Sequence, residues 1–110
     1  MKTFRPERVS DLIIEELNKL IMKEVEVPDT LITITDVEVV KDLSRAVVKV
    51  SVYPTEQSEK VLKILKKLQG HFQYLLLRRM NIRPMPKIAF EADYGLEKAA
   101  RVEKRLLENK

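Results

Sequence analysis

Residues 31–53 read LITITDVEVVKDLSRAVVKVSVY. Ile32 and Ile34 alternate with threonines, and the apolar phase then slips so that Val37 and Val39 carry it onward. A slip of this kind in a period-two pattern marks a β-bulge, where one extra residue restores the buried face. KDLS at 41–44 is a turn. Beyond it Ala46, Val48, Val50 and Val52 alternate with Val47, Lys49, Ser51 and Tyr53, as a strand with one buried face should. The stretch therefore predicts a β-hairpin with a bulged first strand.

Upstream, RPERVSDLIIEELNKLIMKE at 5–24 repeats apolar residues at Val9, Leu12, Ile13, Leu17, Leu20 and Ile21, the period of an amphipathic helix. Pro6 and Glu7 suit its first turn, and Pro28 bars continuation. Downstream, Pro54 breaks the strand and a helical pattern runs from about Glu56 to Met80, with Gly70 in its middle. A third strand pattern, PKIAFEA at 86–92, is entered through Pro84 and Pro86. From Leu96 the chain reads as a weaker amphipathic helix, with Leu96, Ala99, Ala100, Leu106 and Leu107 on one side.

The order is α-β-β-α-(Gly)-α-β plus a C-terminal helix, an α+β arrangement. A strand joined to a later strand by a helical crossover runs parallel to it in the same sheet, so strand 86–92 should lie parallel to strand 44–53. The sheet is then three-stranded and mixed, with helices on one face. At 110 residues the chain is one domain, with a core at about 4–95 and a helical extension at 96–110. There is no repeat, linker or low-complexity segment.

Composition excludes several function classes. Zero cysteines remove disulfides, zinc ribbons and thiol nucleophiles, and one histidine, His71, cannot make a two-histidine metal site. No apolar run approaches the ~18 residues of a membrane span, and no signal-peptide pattern opens the chain, so the cytoplasm is the expected location. Paired carboxylates such as Glu15/Glu16 and Asp36/Glu38 have no proton-transfer partner, and Asp93-Tyr94-Gly95 lacks the Gly-rich loop and lysine strand that would make it a kinase element. Neither an enzyme nor a cofactor-binding protein is expected.

The charge points elsewhere. From Lys60 to Lys87 there are eight Lys/Arg and no Asp or Glu, so this segment carries +8 and the rest of the chain −4. At 100° per residue, Val61, Ile64, Leu65, Leu68, Phe72, Leu75 and Leu76 fall in an arc of roughly 120°, the core face; Lys60, Lys63, Lys67, Gly70, His71, Tyr74 and Arg78 fall in a separate arc of roughly 100°. A lysine face that only solvates a helix usually mixes signs, because Glu to Lys pairs at i,i+4 help and like pairs cost a few tenths of a kcal/mol each. Here Lys60, Lys63, Lys66 and Lys67 repel one another, which a polyanion would relieve. Gly70 costs roughly 1 kcal/mol relative to alanine in a helix and opens a gap between cations. Alternatively it only bends the helix along the sheet. Arg79, Arg83 and Lys87 extend the charge toward the last strand, and Lys2, Arg5 and Arg8 form a second patch diluted by Glu7 and Asp11. Tyr74 either stacks on a base or packs with lysine stems.

Three stretches, RPERVSDLIIEEL, ITDVEVVKDLSRAVVKVSVY and LQGHFQYLLLRRMNIRPMPKIAFEAD, together resemble the ribosome-binding factor A family over roughly residues 4–95. Arg5 and Arg8 match its opening R-x-x-R-V, Asp42, Leu43 and Ala46 its D-L-x-x-A hairpin, Gly70 its helix-kink glycine, and Arg83, Pro86 and Phe90 its R-x-x-P-x-x-F entry to the last strand. The resemblance implies a type II KH-like fold. It also implies binding to 16S rRNA on free or immature 30S subunits, help with late maturation and rRNA processing, and support for growth in the cold. No catalysis or cofactor is implied. Ribosomal proteins and an assembly GTPase are further candidate partners of a monomer. Two departures stand out: Leu68 replaces the alanine of the usual Ala-x-Gly kink, and Gln73 stands where an arginine is common. Gly70-His71-Phe72-Gln73 also lacks the second glycine of the single-strand clamp G-x-x-G.

The expected RNA-contacting set is Arg5, Arg8, Lys60, Lys63, Lys67, Gly70, Tyr74, Arg78, Arg79, Arg83 and Lys87, gripping backbone phosphates more than base edges. A module that docks an acidic protein, and a general KH-like or single-strand RNA binder, are the alternative readings.

Overall fold

The computed structural model describes residues 5–94. The expected helix from Leu96, and Lys2, lie outside the described residues. The elements are α1 (Pro6–Glu24), β1 (Leu31–Val39), β2 (Arg45–Tyr53), a 3-10 turn (Thr55–Gln57), α2 (Ser58–Met80) and β3 (Lys87–Ala92). In α1 the proline occupies the first turn, where its missing N–H costs nothing, and Glu7 faces the positive end of the helix dipole. Val9, Ile13, Leu17, Leu20 and Ile21 are its buried stripe.

The two helical segments expected on either side of Gly70 form one uninterrupted helix, α2. Its apolar phase runs through the glycine, so packing holds together what propensity alone would weaken. Val61, Leu62, Leu65, Phe72 and Leu76 are buried, while Ile64, Leu68 and Leu75 are half-buried at the margin. Leu62 lies outside the arc read from the sequence. Asn81 ends the helix in the left-handed conformation, φ 49, which asparagine tolerates better than most residues.

The sheet order is β1-β2-β3, with β1 antiparallel and β3 parallel to β2. The phase slip read in β1 is a bulge: Ile34 pairs with Val50 and Asp36 with Lys49, leaving Thr35 as the extra residue. In the hairpin turn the Ser44 N–H donates to the Asp42 carboxylate at 2.9 Å. A hydrogen bond from the Ser44 side chain, joined by this one from its backbone N–H, holds Asp42 below the usual carboxylate range. Leu43 there takes φ 62, which costs an L residue about 1–2 kcal/mol, and its side chain packs against the core.

Ile34, Val37, Ala46, Val48, Val50, Val52, Ile88 and Phe90 are buried on one sheet face. There α1 lies against β1 and α2 against β3. Phe72 of α2 is fully buried and meets Phe90 of β3 edge-on, with ring centroids 6.1 Å apart at 70°. The core therefore fixes α2 by one side and presents its other side outward.

Candidate nucleic-acid interface

That outward side carries the predicted stripe. Lys60, Lys63, Lys67, Gly70, His71, Tyr74 and Arg78 are all exposed, and so is Lys66 beside the stripe. From Lys60 to Arg78 the stripe runs about 27 Å along the helix axis. Among the described residues no carboxylate forms an ion pair with Lys60, Lys63, Lys66 or Lys67. The lysine half of α2 is an uncompensated cationic ridge.

The other half is compensated in part by α1, which no local reading of α2 could show. Arg79 reaches Glu16 at 3.4 Å, and His71 Nε2 lies 3.0 Å from Glu24. As sequence number rises along α1 its partners fall along α2, so the two helices run antiparallel. This brings the start of α1, with Arg5 and Arg8, to the end of the molecule where α2 finishes and Arg83 follows. Only the arginines that follow the lysine ridge, Arg78, Arg79 and Arg83, lie toward the end where α1 begins; Lys60, Lys63 and Lys67 lie toward the other. Lys87 joins neither group. Ile88 and Phe90 face the core, so by alternation Lys87 lies on the sheet face turned away from the helices, opposite Arg45.

Tyr74 is 55 % exposed. Arg78, one turn on, donates from Nη1 to its hydroxyl at 3.1 Å and places Cζ 5.8 Å from the ring centroid, within cation–π range. At Gly70 a Cβ would meet nothing within 4 Å. The fold itself does not require the glycine there.

Gln73 has a use that its sequence position does not reveal. Its Nε2 donates to the Pro86 carbonyl at 2.8 Å, and its Oε1 accepts the Ile88 N–H at 2.8 Å. Ile88 begins the outer edge of β3, whose ladder partner is on the other side, so the amide fills an edge that α2 must pass. Gln73 is thus a strut between α2 and β3. Spacing alone contains no sign of this pairing.

Among the described residues no group of three or more His, Asp or Glu converges to hold a metal ion, and no helix is long and apolar enough to cross a membrane. What the outer face of α2 offers is charge and the exposed ring of Tyr74. A mixed three-stranded sheet with its helices on one face and a cationic outer helix defines a small KH-like α+β domain. The sequence model of ribosome-binding factor A matches residues 5–106. The chain belongs to that family. It is 34% identical over 108 residues to the ribosome-binding factor A of Caldanaerobacter subterraneus subsp. tengcongensis, covering 96% of this chain and 88% of the relative. The crystal structure of ribosome-binding factor A from Thermus thermophilus superimposes with a TM-score of 0.59 at 24% identity, over 79% of this chain and 90% of that one. A Thermus thermophilus homology model fitted into a cryo-EM map of a complex with the 30S subunit gives 0.58, also at 24% identity, over 79% and 89%.

Proposed function

We propose that this chain binds free or immature 30S subunits through 16S rRNA, assists late maturation and rRNA processing, and so supports growth in the cold. The observation that carries the RNA reading is the lysine ridge of α2. Four cations on one helix have no acidic partner among the described residues. Like charges held this way are relieved when phosphates replace their counterions. Kinship adds the target, since a ribosome-binding factor A of another organism is described in complex with the 30S subunit.

The ridge follows a phosphate backbone and fixes register without reading sequence. Lys60, Lys63 and Lys67 supply unpaired charge, and Arg5, Arg8, Arg79 and Arg83 supply a second contact at the far end. By binding one rRNA arrangement better than its competitors, the chain shifts the population toward it. It acts as a cytoplasmic monomer without cofactor or catalysis, and release follows when maturation or a partner GTPase alters the bound site.

Sedimentation of tagged protein from lysate at two salt concentrations, with and without nuclease, tests the proposal. Association with free small subunits only, weakened by salt and abolished by nuclease, is the expected result. Retention on a protein partner after nuclease treatment, or absence from every ribosomal fraction, overturns it.

A further inference from the structure

Gly70, Tyr74 and Arg78 follow one another at i, i+4, i+8 and so lie along one ridge of α2. Helical side chains lean toward the N-terminus. Arg78 accordingly leans onto the Tyr74 ring, where its guanidinium sits 5.8 Å from the centroid and holds the hydroxyl. Gly70 stands one turn before Tyr74, and a Cβ there would find nothing within 4 Å. The result is an exposed ring held by a cation from the following turn, with open helix surface at Gly70 one turn before it; that open position is the gap. Lys63, Lys66 and Lys67 lie on the preceding turns, with no carboxylate paired to them among the described residues, while Glu24 reaches His71 beside the glycine.

We propose that this gap is a slot for one unpaired base of the bound RNA, stacked on Tyr74 while the lysines hold the flanking phosphates. The inference rests on the RNA reading above and deepens it. It assigns the ridge a preference for a helix carrying a bulged or flipped nucleotide over a continuous duplex. It also gives Arg78 a different part from the lysines, since its charge is spent on fixing and polarising the ring. The occupant is argued from two features that point the same way. Uncompensated lysines on the preceding turns select a polyanion, and an aromatic face beside a vacant helical position selects a flat partner within it.

The test uses two RNA hairpins with the same stem, one carrying a single-nucleotide bulge with 2-aminopurine as the bulged base. Affinity is measured for both, and fluorescence for the labelled one. Wild type should prefer the bulged hairpin by about 5- to 100-fold, the range that stacking on one aromatic ring supports, and should quench the base on binding. Tyr74→Ala should bring the affinity ratio near one and abolish quenching, Tyr74→Phe should restore both, and Gly70→Ala should lower the ratio by filling the gap. Circular dichroism of each variant checks the helix. A wild-type ratio near one, or a ratio that Tyr74→Ala leaves unchanged, overturns the slot while leaving the RNA reading intact. Failure of wild type to bind either hairpin, together with absence from ribosomal fractions, overturns the RNA reading and the slot together.

Discussion

Gln73 and Gly70 lie three residues apart on α2 and serve opposite ends. The Gln73 amide satisfies one acceptor and one donor at the start of β3, both at 2.8 Å. Leaving partly buried backbone groups without partners costs about 1–3 kcal/mol. Gln73→Ala should lower stability by that amount, read as a drop in the urea midpoint at unchanged slope. A neutral result would mean that water replaces the amide without loss. Gly70 should behave in the reverse sense. An added methyl group meets nothing within 4 Å, and alanine is the better helix former, so Gly70→Ala should stabilise the free protein by about 0.5–1 kcal/mol. A lower melting temperature would show instead that the backbone at this position is held in a shape alanine cannot take. Stabilisation in the free protein with weaker RNA binding would mean that the glycine serves a partner.

At the scale of elements, contacts between neighbours carry consequences that periodicity does not show. Lys49 of β2 is bound to Glu91 of β3 at 2.9 Å. That hydrogen bond, helped by the charges of Glu91, Glu38 and Asp93, raises the lysine above its ordinary value against the opposing cost of desolvation. A raised cationic group contributes stability that is complete below the unfolded value, about 10.4. The contribution is lost as pH climbs through the folded value. Lys49→Met should therefore lose less stability than wild type above about pH 10.4, and denaturant midpoints measured on both sides of that pH check it. Parallel losses in the two proteins would leave the ion pair without a role.

The elements themselves were legible: the slip between Ile34 and Val37 announced the bulge, and the alternation from Ala46 to Val52 announced the central strand. Legible too was the exposed stripe from Lys60 to Arg78, because helical phase separates it from the core. Partners across elements were not. Glu16 to Arg79, Glu24 to His71 and Gln73 to Pro86 depend on how α1, α2 and β3 pack, and side-chain chemistry alone gives each residue many possible partners. Helical phase carried through Gly70 in the sequence, but whether α2 kinks there was not legible. A glycine marks a weak point in propensity, but burial of Phe72 and Leu76 beyond it decides whether the helix continues.

For the whole molecule, the lysine ridge is a place where fold and function pull apart. Lys63 and Lys67 stand at i,i+4, and such like pairs destabilise a helix by a few tenths of a kcal/mol, while opposite pairs stabilise it by a similar amount. Replacing Lys67 by glutamate turns repulsion into attraction on a surface the core does not touch. Lys67→Glu should fold at least as stably as wild type at low salt, with a gain of a few tenths of a kcal/mol that fades as salt screens the pair. The same change places a negative charge where RNA phosphates are expected. Affinity should fall, and the slope of log affinity against log salt should flatten by at least about 0.7, the share of one lost phosphate contact. Thermal melting at two salt concentrations and RNA titration over a salt series read both effects on one protein. A variant that melts lower and binds as before would assign the lysines to the fold. One that melts as high or higher and binds worse would show a surface kept locally unfavourable for the sake of its partner, as functional sites that break local rules are expected to be.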